Sequence, residues 1–229
     1  SGRMMCGAHL AESVRKKASK ALREQLFLPK GEHTTILVAI SGGKDSAVLL
    51  ERLHENLGKR RDVTLVGGCV DEGIEGYRPP SLECARQLCE DLGIRFETVS
   101  YPELGFKEMD DVVNKIVQLE EKKAPCSYCG VFRRQGINHL ADRVNADVIA
   151  LGHNLDDMAQ TIMMNMQNGD LERTLRLAPH TSTPLEGMVP RIVPLRWIPE
   201  QEIHLYALHK KLPIHHEECP HGCLLYTSP

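Results

Sequence analysis

The sequence predicts an α/β protein, a doubly wound parallel sheet with helices on both faces. Three observations carry that expectation. Short, continuous apolar runs recur at 35–40, 63–70, 95–101 and 147–151, rich in β-branched residues. Such runs mark strands buried on both faces, as parallel strands are. Between them lie stretches with apolar residues at helical spacing, joined by short turns. A β-α-β-α-β order of this kind is met by crossover helices on a parallel sheet.

Taken in order, residues 5–30 open with Met5-Cys6-Gly7-Ala8-His9-Leu10 and continue as a basic amphipathic helix to about Leu28. Lys16, Lys17, Lys20 and Arg23 give it a positive face. A solvated face explains most such runs; contact with a nucleic-acid backbone is the functional alternative. Thr35–Ile40 is the first strand, and Ser41-Gly42-Gly43-Lys44-Asp45-Ser46 is the turn that follows it. Val48, Leu49, Leu50 and Leu53 then mark a helix to about 57. The glycines therefore stand on a strand-to-helix turn. Their amides and the helix N-terminus form an anion pocket. Lys44 adds a point charge suited to phosphate, and Ser41 and Ser46 add hydroxyls. The G-x-x-x-x-G-K-[ST] spacing of the Walker A loop is absent.

The second strand, Val63–Val70, ends in Asp71-Glu72-Gly73. An acid at this strand end suits a ribose hydroxyl or a nucleotide amino group. Pro79-Pro80 opens a helix to Leu92, Gly93 stops it, and Arg95–Tyr101 is the third strand. An amphipathic helix is expected over 106–122. It leads to Cys126-Ser127-Tyr128-Cys129 and a second helix to about Asn145. Asp147–Leu151 is another buried strand. Gly152-His153-Asn154-Leu155-Asp156-Asp157 stands at its carboxyl end, where ligands bind in open α/β sheets. The stretch 169–187 reads as a mobile loop over the site. Val189–Leu195 is a short strand and Pro199–Lys211 a helix.

The bulk properties narrow the class. A chain of 229 residues suits one large α/β domain with a small appendage. No run reaches the ~20 apolar residues of a membrane span, and no secretory signal opens the chain, so a cytoplasmic location is expected. A net charge of −3 gives no basic field over the whole molecule. Eight cysteines without a secretory signal point to metal or redox chemistry or to packing rather than a disulfide scaffold. Cys69, Cys84 and Cys89 stand in apolar or amphipathic contexts and read as packing.

Cys126 and Cys129 form a C-x-x-C pair before a helix. The pair fits a redox dithiol, half a zinc site or part of an iron–sulfur site. Cys219 lies far along the chain at a matching point of the architecture, with His221 and Cys223 close by. Three cysteines converging near a nucleotide would hold a cluster with one iron left open. Cys6 and His9 have the spacing of half a zinc site, and a closed structural site needs four ligands.

SGGKDS resembles the PP-loop of the ATP pyrophosphatase superfamily, the adenine nucleotide α-hydrolase-like fold, which splits ATP between the α and β phosphates. With CSYCGVFRR, GHNLDD, VPRIVPLRWIPEQEI and HEECPHG in that order, the chain resembles the tRNA 2-thiolation proteins of archaea and the eukaryotic cytosol. The likeness covers about residues 6–222. It implies ATP- and Mg²⁺-dependent adenylation of a tRNA uridine at its C2 oxygen, then replacement of that oxygen by sulfur with release of AMP. It implies that Ala39, Ser41, Gly42, Gly43, Lys44, Asp45 and Ser46 hold the ATP phosphates. Val70 and Asp71 would lie near the adenosine. Gly152 and Asp157 would close the nucleotide site, with Asp157 the catalytic carboxylate, and Arg133 would touch phosphates or tRNA. Cys126, Cys129 and Cys219 match the three ligands of a 4Fe–4S cluster that carries the sulfur. An alternative makes these cysteines persulfide carriers. Lys44, Cys126 and Cys219 thus join Asp157 as the residues expected to carry the chemistry.

The likeness also implies partners: tRNA, a sulfur donor (a ubiquitin-like thiocarboxylate protein or sulfide), and a second subunit in a homodimer or heterodimer. The stretch 163–177 favours the wobble uridine. Relatives begin with a full zinc ribbon, of which Cys6 and His9 match the second pair. The expected organisation is therefore residues 1–30 as an N-terminal helix with the remnant of a zinc ribbon, 31–222 as the ATP pyrophosphatase domain, and 223–229 as a non-native tail. Competing readings are tRNA 2-thiocytidine synthesis, an amide-forming PP-loop ligase acting on a small molecule, and a metal-binding tRNA chaperone without ATP chemistry. The ligase would not need the three cysteines.

Overall fold

The computed structural model describes residues 5–119, 124–170, 172 and 188–222. The loop expected at 169–187 and the tail at 223–229 lie almost wholly outside the described residues. So does the end of the helix expected over 106–122.

The order of elements is α1 (Gly7–Gln25), β1 (Thr34–Ala39), α2 (Lys44–Leu57), β2 (Val63–Asp71), α3 (Arg78–Asp91), β3 (Arg95–Ser100), a 3₁₀ turn (Pro102–Leu104), α4 (Met109–Gln118), α5 (Pro125–Arg143), β4 (Val148–Ala150), α6 (Leu155–Gln167), β5 (Arg191–Ile192) and α7 (Glu200–Lys210). The five strands form one sheet in the order β3-β2-β1-β4-β5, and every neighbouring pair is parallel. The chain steps outward from β1 through β2 to β3, then returns to the other side of β1 for β4 and β5. The strand order therefore reverses between β1 and β4, and a crevice opens there at the carboxyl ends of the strands.

Two apolar cores follow from the pleat. One face of the sheet, with Ile36, Val38 and Leu65, packs against α1, α2, α3 and α7. Leu37, Val66, Val70 and Ile149 face the other way, against α4 and α5. Adjacent residues on β1 thus serve opposite helix layers and residues two apart the same one, as alternation along a strand requires. Leu10, Val14, Ala18 and Leu22 of α1 belong to the first core. Its basic face is largely neutralised: Lys16 pairs with Glu12, Lys17 with Glu202 on α7, and Lys20 with Glu24. Cys69 and Cys89 are fully buried in the same core, and Cys84 is half-buried.

Helix α5 approaches the sheet closely. A Cβ on Gly136 would lie 2.8 Å from a Val70 methyl, so only glycine allows this seat. The start of α5, which carries the C-x-x-C pair, is thereby brought to the carboxyl end of β2. Among the described residues, no helix is long and apolar enough to cross a membrane.

Candidate active site

The phosphate loop is built as its sequence requires. Gly42 adopts φ +88°, and a Cβ there would meet Ser81 O at 2.0 Å; both facts reserve the position for glycine. Ser46 Oγ accepts from Ser41 N (3.1 Å) and donates to Gly43 O (2.9 Å). The turn is therefore closed from within, and α2 starts at Lys44 with no side-chain cap on its first amides. Such a helix start attracts anions.

Lys44 points into a cleft of ≈ 650 Å³, lined by Ser41, Gly43, Asp45, Tyr77, Glu200 and His215 among others. Burial presses its ammonium down, but Glu200 (2.7 Å) and Asp45 (3.4 Å) hold it above its ordinary value overall. A smaller cavity of ≈ 60 Å³ lies beside the loop, lined by Ala39, Ser41, Val70, Glu72, Arg78 and Arg133 among others. Four residues expected at the nucleotide thus share one cavity.

Gly152 and Asp157 close the loop from the β4 side. A Cβ on Gly152 would stand 3.3 Å from the Ser46 nitrogen. Asp157 is the third residue of a capping box: its carboxylate accepts from Asn154 N (2.9 Å), while Asn154 Oδ1 accepts from Asp157 N (3.0 Å). Asn154 Nδ2 in turn donates to Asp45 Oδ1 (2.9 Å). Burial raises the Asp157 carboxyl above the usual carboxylate range, and the charges of Asp45 and Glu200 add to the rise. A carboxylate beside Asp45 at the mouth of the phosphate loop suits a divalent cation such as Mg²⁺, which takes one or two carboxylates. Asp71 turns its carboxylate onto Gly73 N (3.0 Å), and its neighbour Glu72 is the acid that reaches inward.

Glu72 is the centre of a polar chain that the sequence did not reveal. Its side chain is 5% exposed and pairs with Arg78 (2.6 Å) and Arg133 (3.0 Å). Arg78 donates to Ser41 O in the phosphate loop (2.9 Å). At the other end, Arg133 donates to Cys129 Sγ (3.3 Å). Tyr101, fully buried, places its hydroxyl 3.1 Å from Cys129 O and 3.3 Å from Cys129 Sγ. The loop and the C-x-x-C pair are therefore joined by one line of contacts, Ser41–Arg78–Glu72–Arg133–Cys129.

The C-terminal segment ties the same two places together. His215 N donates to Gly42 O (2.9 Å), and its ring meets Tyr77 edge-on. A few residues on, Cys219 packs with Cys129 against the second core, and His221 O lies 3.8 Å from Cys126 Sγ. Burial and then the nearby charges of Cys129 and Cys126 push the Cys219 thiol up. His221 is held by Asp110 (2.5 Å). The three thiols are free of disulfides. They are neighbours rather than a closed cage, since among the described residues no three Cys, His, Asp or Glu side chains stand ready to hold a metal ion. Three soft, unpaired thiols from two segments are nonetheless the donor set that an iron–sulfur cluster takes.

Sequence reasoning missed Glu72, Arg78, Tyr101, Glu200 and the histidines of the cleft. The run His215-His216 was the available signal for the last of these. Cys6 and His9 stay apart from this site: Cys6 Sγ contacts His9 Nδ1 (3.0 Å) at the exposed start of α1.

A family model described as a PP-loop domain matches residues 10–219. The tRNA 2-thiolation protein NcsA of Haloferax volcanii is 40% identical over all of this chain and 73% of its own length. The cytoplasmic tRNA 2-thiolation protein 1 of Drosophila willistoni is 40% identical over 85% of this chain, which spans 55% of that relative. Among solved structures, the U34-tRNA thiolase NcsA from Methanococcus maripaludis with its [4Fe-4S] cluster superposes with a TM-score of 0.82 at 35% identity, over 97% of this chain and 71% of that one. By the family match over residues 10–219 and the 40% identity to a relative covered over 73% of its length, the chain belongs to the PP-loop domain family and, within it, to the tRNA 2-thiolation proteins.

Proposed function

We propose that this chain is an ATP-dependent tRNA sulfurtransferase that converts a uridine, the wobble uridine 34, to 2-thiouridine. The observation that carries the reading is the line Ser41–Arg78–Glu72–Arg133–Cys129, which makes the phosphate loop and the thiols two halves of one site. An amide-forming ligase has no use for the second half.

In this reading the loop amides, Lys44 and the two serines hold the ATP phosphates, while Ala39 and Val70 wall the adenosine side. Asp157 and Asp45 would hold the Mg²⁺ that accompanies ATP, which would neutralise phosphate charge there. Fixed charges aimed at the transferring phosphoryl group supply most of the catalysis expected of such a site. The uridine C2 oxygen attacks the α phosphate, pyrophosphate leaves, and AMP later departs with that oxygen as sulfur takes its place. Cys126, Cys129 and Cys219 would hold the cluster, which when bound supplies sulfur already deprotonated at neutral pH. Tyr101 and Arg133 orient Cys129. The sulfur donor is a ubiquitin-like thiocarboxylate or sulfide, the location is the cytoplasm, as the names of the eukaryotic relatives have it, and the working assembly is a dimer.

Anaerobic purification with iron and sulfide analysis tests the thiol half, and AMP release with tRNA tests the loop half. Protein that contains zinc alone would remove the cluster from the account. AMP release that does not depend on tRNA would favour the small-molecule ligase.

A further inference from the structure

The third thiol, Cys219, stands on a stretch without helix or strand, from Leu212 to Gly222. The bond from His215 N to Gly42 O anchors the start of that stretch. Gly222 N donates to Cys219 O (2.8 Å), which shapes a turn but does not place it. Cys219 packs half-buried against the second core, and apolar packing is weakly directional. Of the side chains beyond His216, His221 alone among the described residues hydrogen-bonds another element. Its Nε2 lies 2.5 Å from Asp110 Oδ1 on α4. An ionised carboxylate only accepts, so the imidazole nitrogen donates.

Asp110 is itself held firmly. It follows Met109, which is fully buried in the second core. Its other oxygen accepts from Glu75 N (2.9 Å), and Met109 N donates to Glu72 O (2.8 Å). The start of α4 is therefore fixed to the 72–75 loop. That loop serves both thiol segments. Through Glu72 and Arg133 it reaches Cys129 on α5, and through Asp110 and His221 it reaches the turn of Cys219. The two paths meet again at the thiols, where His221 O lies 3.8 Å from Cys126 Sγ. The side chains of Asp110 and His221 are 36% and 22% exposed. Pairs with this much solvent contribute little to global stability, so holding one turn in place is the use that fits the contact.

We propose that Asp110 is a positioning residue: through His221 it holds the turn of Cys219 against Cys126 and Cys129, so that the three thiols can bind one iron–sulfur group. Hydrogen-bonded partners behind a ligand govern how firmly it binds. This rests on the cysteine half of the reading above and not on ATP or tRNA.

The test uses the full chain as Asp110→Ala, His221→Ala and the double variant, with Asp111→Ala as control. Asp111 is an exposed acid of the same helix turn. In cluster-free protein, hydrogen exchange of the 216–222 amides should speed about three- to tenfold in each single variant. After anaerobic reconstitution with iron and sulfide, iron release to a chelator should speed about tenfold in each. The double variant should stay within about twofold of either single one, because one contact is lost in all three. Melting of the cluster-free protein and ATP affinity should match the Asp111→Ala control, which separates positioning from a general loss of structure. Unchanged exchange and iron release in both single variants overturn the proposal. Equally fast iron release in Asp111→Ala, or effects that multiply in the double variant, also overturn it. So do lower melting and weaker ATP binding in both single variants, which would mark a merely structural pair. If Asp110→Ala does not fold, His221→Ala decides alone. Unmodified protein that takes up no iron overturns the cluster reading, and the exchange measurement, which needs no iron, still decides the positioning.

Discussion

Lys44 Nζ donates to Glu200 Oε1 at 2.7 Å, joining the phosphate loop to the first turn of α7. The ammonium that would meet a phosphate is thus already held by a carboxylate 156 residues away, and nucleotide must displace it. Glu200→Gln should therefore tighten ATP binding about two- to fivefold by removing the competitor. Lys44→Ala should cut tRNA-dependent AMP release about 10²–10³-fold, the usual loss for one preorganised donor. Isothermal titration and an AMP assay check both. Weaker ATP binding by Glu200→Gln would show that the carboxylate serves the nucleotide itself.

Glu72→Ala should be severe. It leaves Arg78 buried, at 4% side-chain exposure, with its carboxylate gone. Breaking a buried pair from one side costs about 3–5 kcal/mol. Urea unfolding measures this, and a loss below about 1 kcal/mol would show that Arg78 needs no counter-charge. A paired Glu72→Leu, Arg78→Met change should recover part of the stability but not ATP binding, because Ser41 O loses its donor.

Asp157→Asn should separate stability from activity. Burial raises the Asp157 carboxyl above its unfolded value, so the charged form is penalised in the folded state. The folded chain then binds the proton more tightly than the unfolded one. Asp157 therefore lowers stability at neutral pH, and the loss is relieved as pH falls through its raised value. The amide keeps the capping acceptor. The variant should melt at or above the unmodified protein near pH 7, with the gap closing in acid, while AMP release is lost. A variant that melts lower at pH 7 and still turns over would contradict both roles.

Among the described residues, Cys6 should be the most reactive thiol outside Cys126, Cys129 and Cys219. It is exposed, and hydrogen bonds from the His9 amide and ring hold its thiol below the ordinary value. Burial pushes Cys69 up to about 11 and Cys89 up to about 12. Iodoacetamide near pH 7.5 should label Cys6 at least about tenfold faster than either. Cys6 should also stay reactive at a lower pH than an ordinary thiol. Peptide mapping by mass spectrometry reads the result, and equal labelling would refute it.

The legible parts of this chain were those set by local pattern. Helix α2 begins and ends where the Gly-Gly turn and the leucine spacing place it, and β1 to β3 match their apolar runs to within a residue or so. The edge was harder. The strand expected over Val189–Leu195 shrinks to Arg191–Ile192, because Pro190 and Pro194 flank it and cannot donate to a ladder. The C-x-x-C pair, expected before a helix, lies inside the first turns of α5, with Pro125 as its first residue. At the site, glycines and cysteines announce themselves by spacing. Glu72, Arg78 and Glu200 do not, because a charged residue buried by a distant partner looks like a surface residue in sequence. Asp71 was the acid singled out after β2, and its neighbour makes the inward contact.

The most direct test is nucleoside mass spectrometry of tRNA treated anaerobically with iron- and sulfide-reconstituted protein, ATP, Mg²⁺ and sulfide, with AMP measured in the same tube. The account predicts 2-thiouridine at position 34 in step with AMP, and loss of 2-thiouridine in Cys126→Ala, Cys129→Ala and Cys219→Ala. AMP without thiolated uridine, 2-thiocytidine in its place, or undiminished 2-thiouridine in the cysteine variants would contradict it.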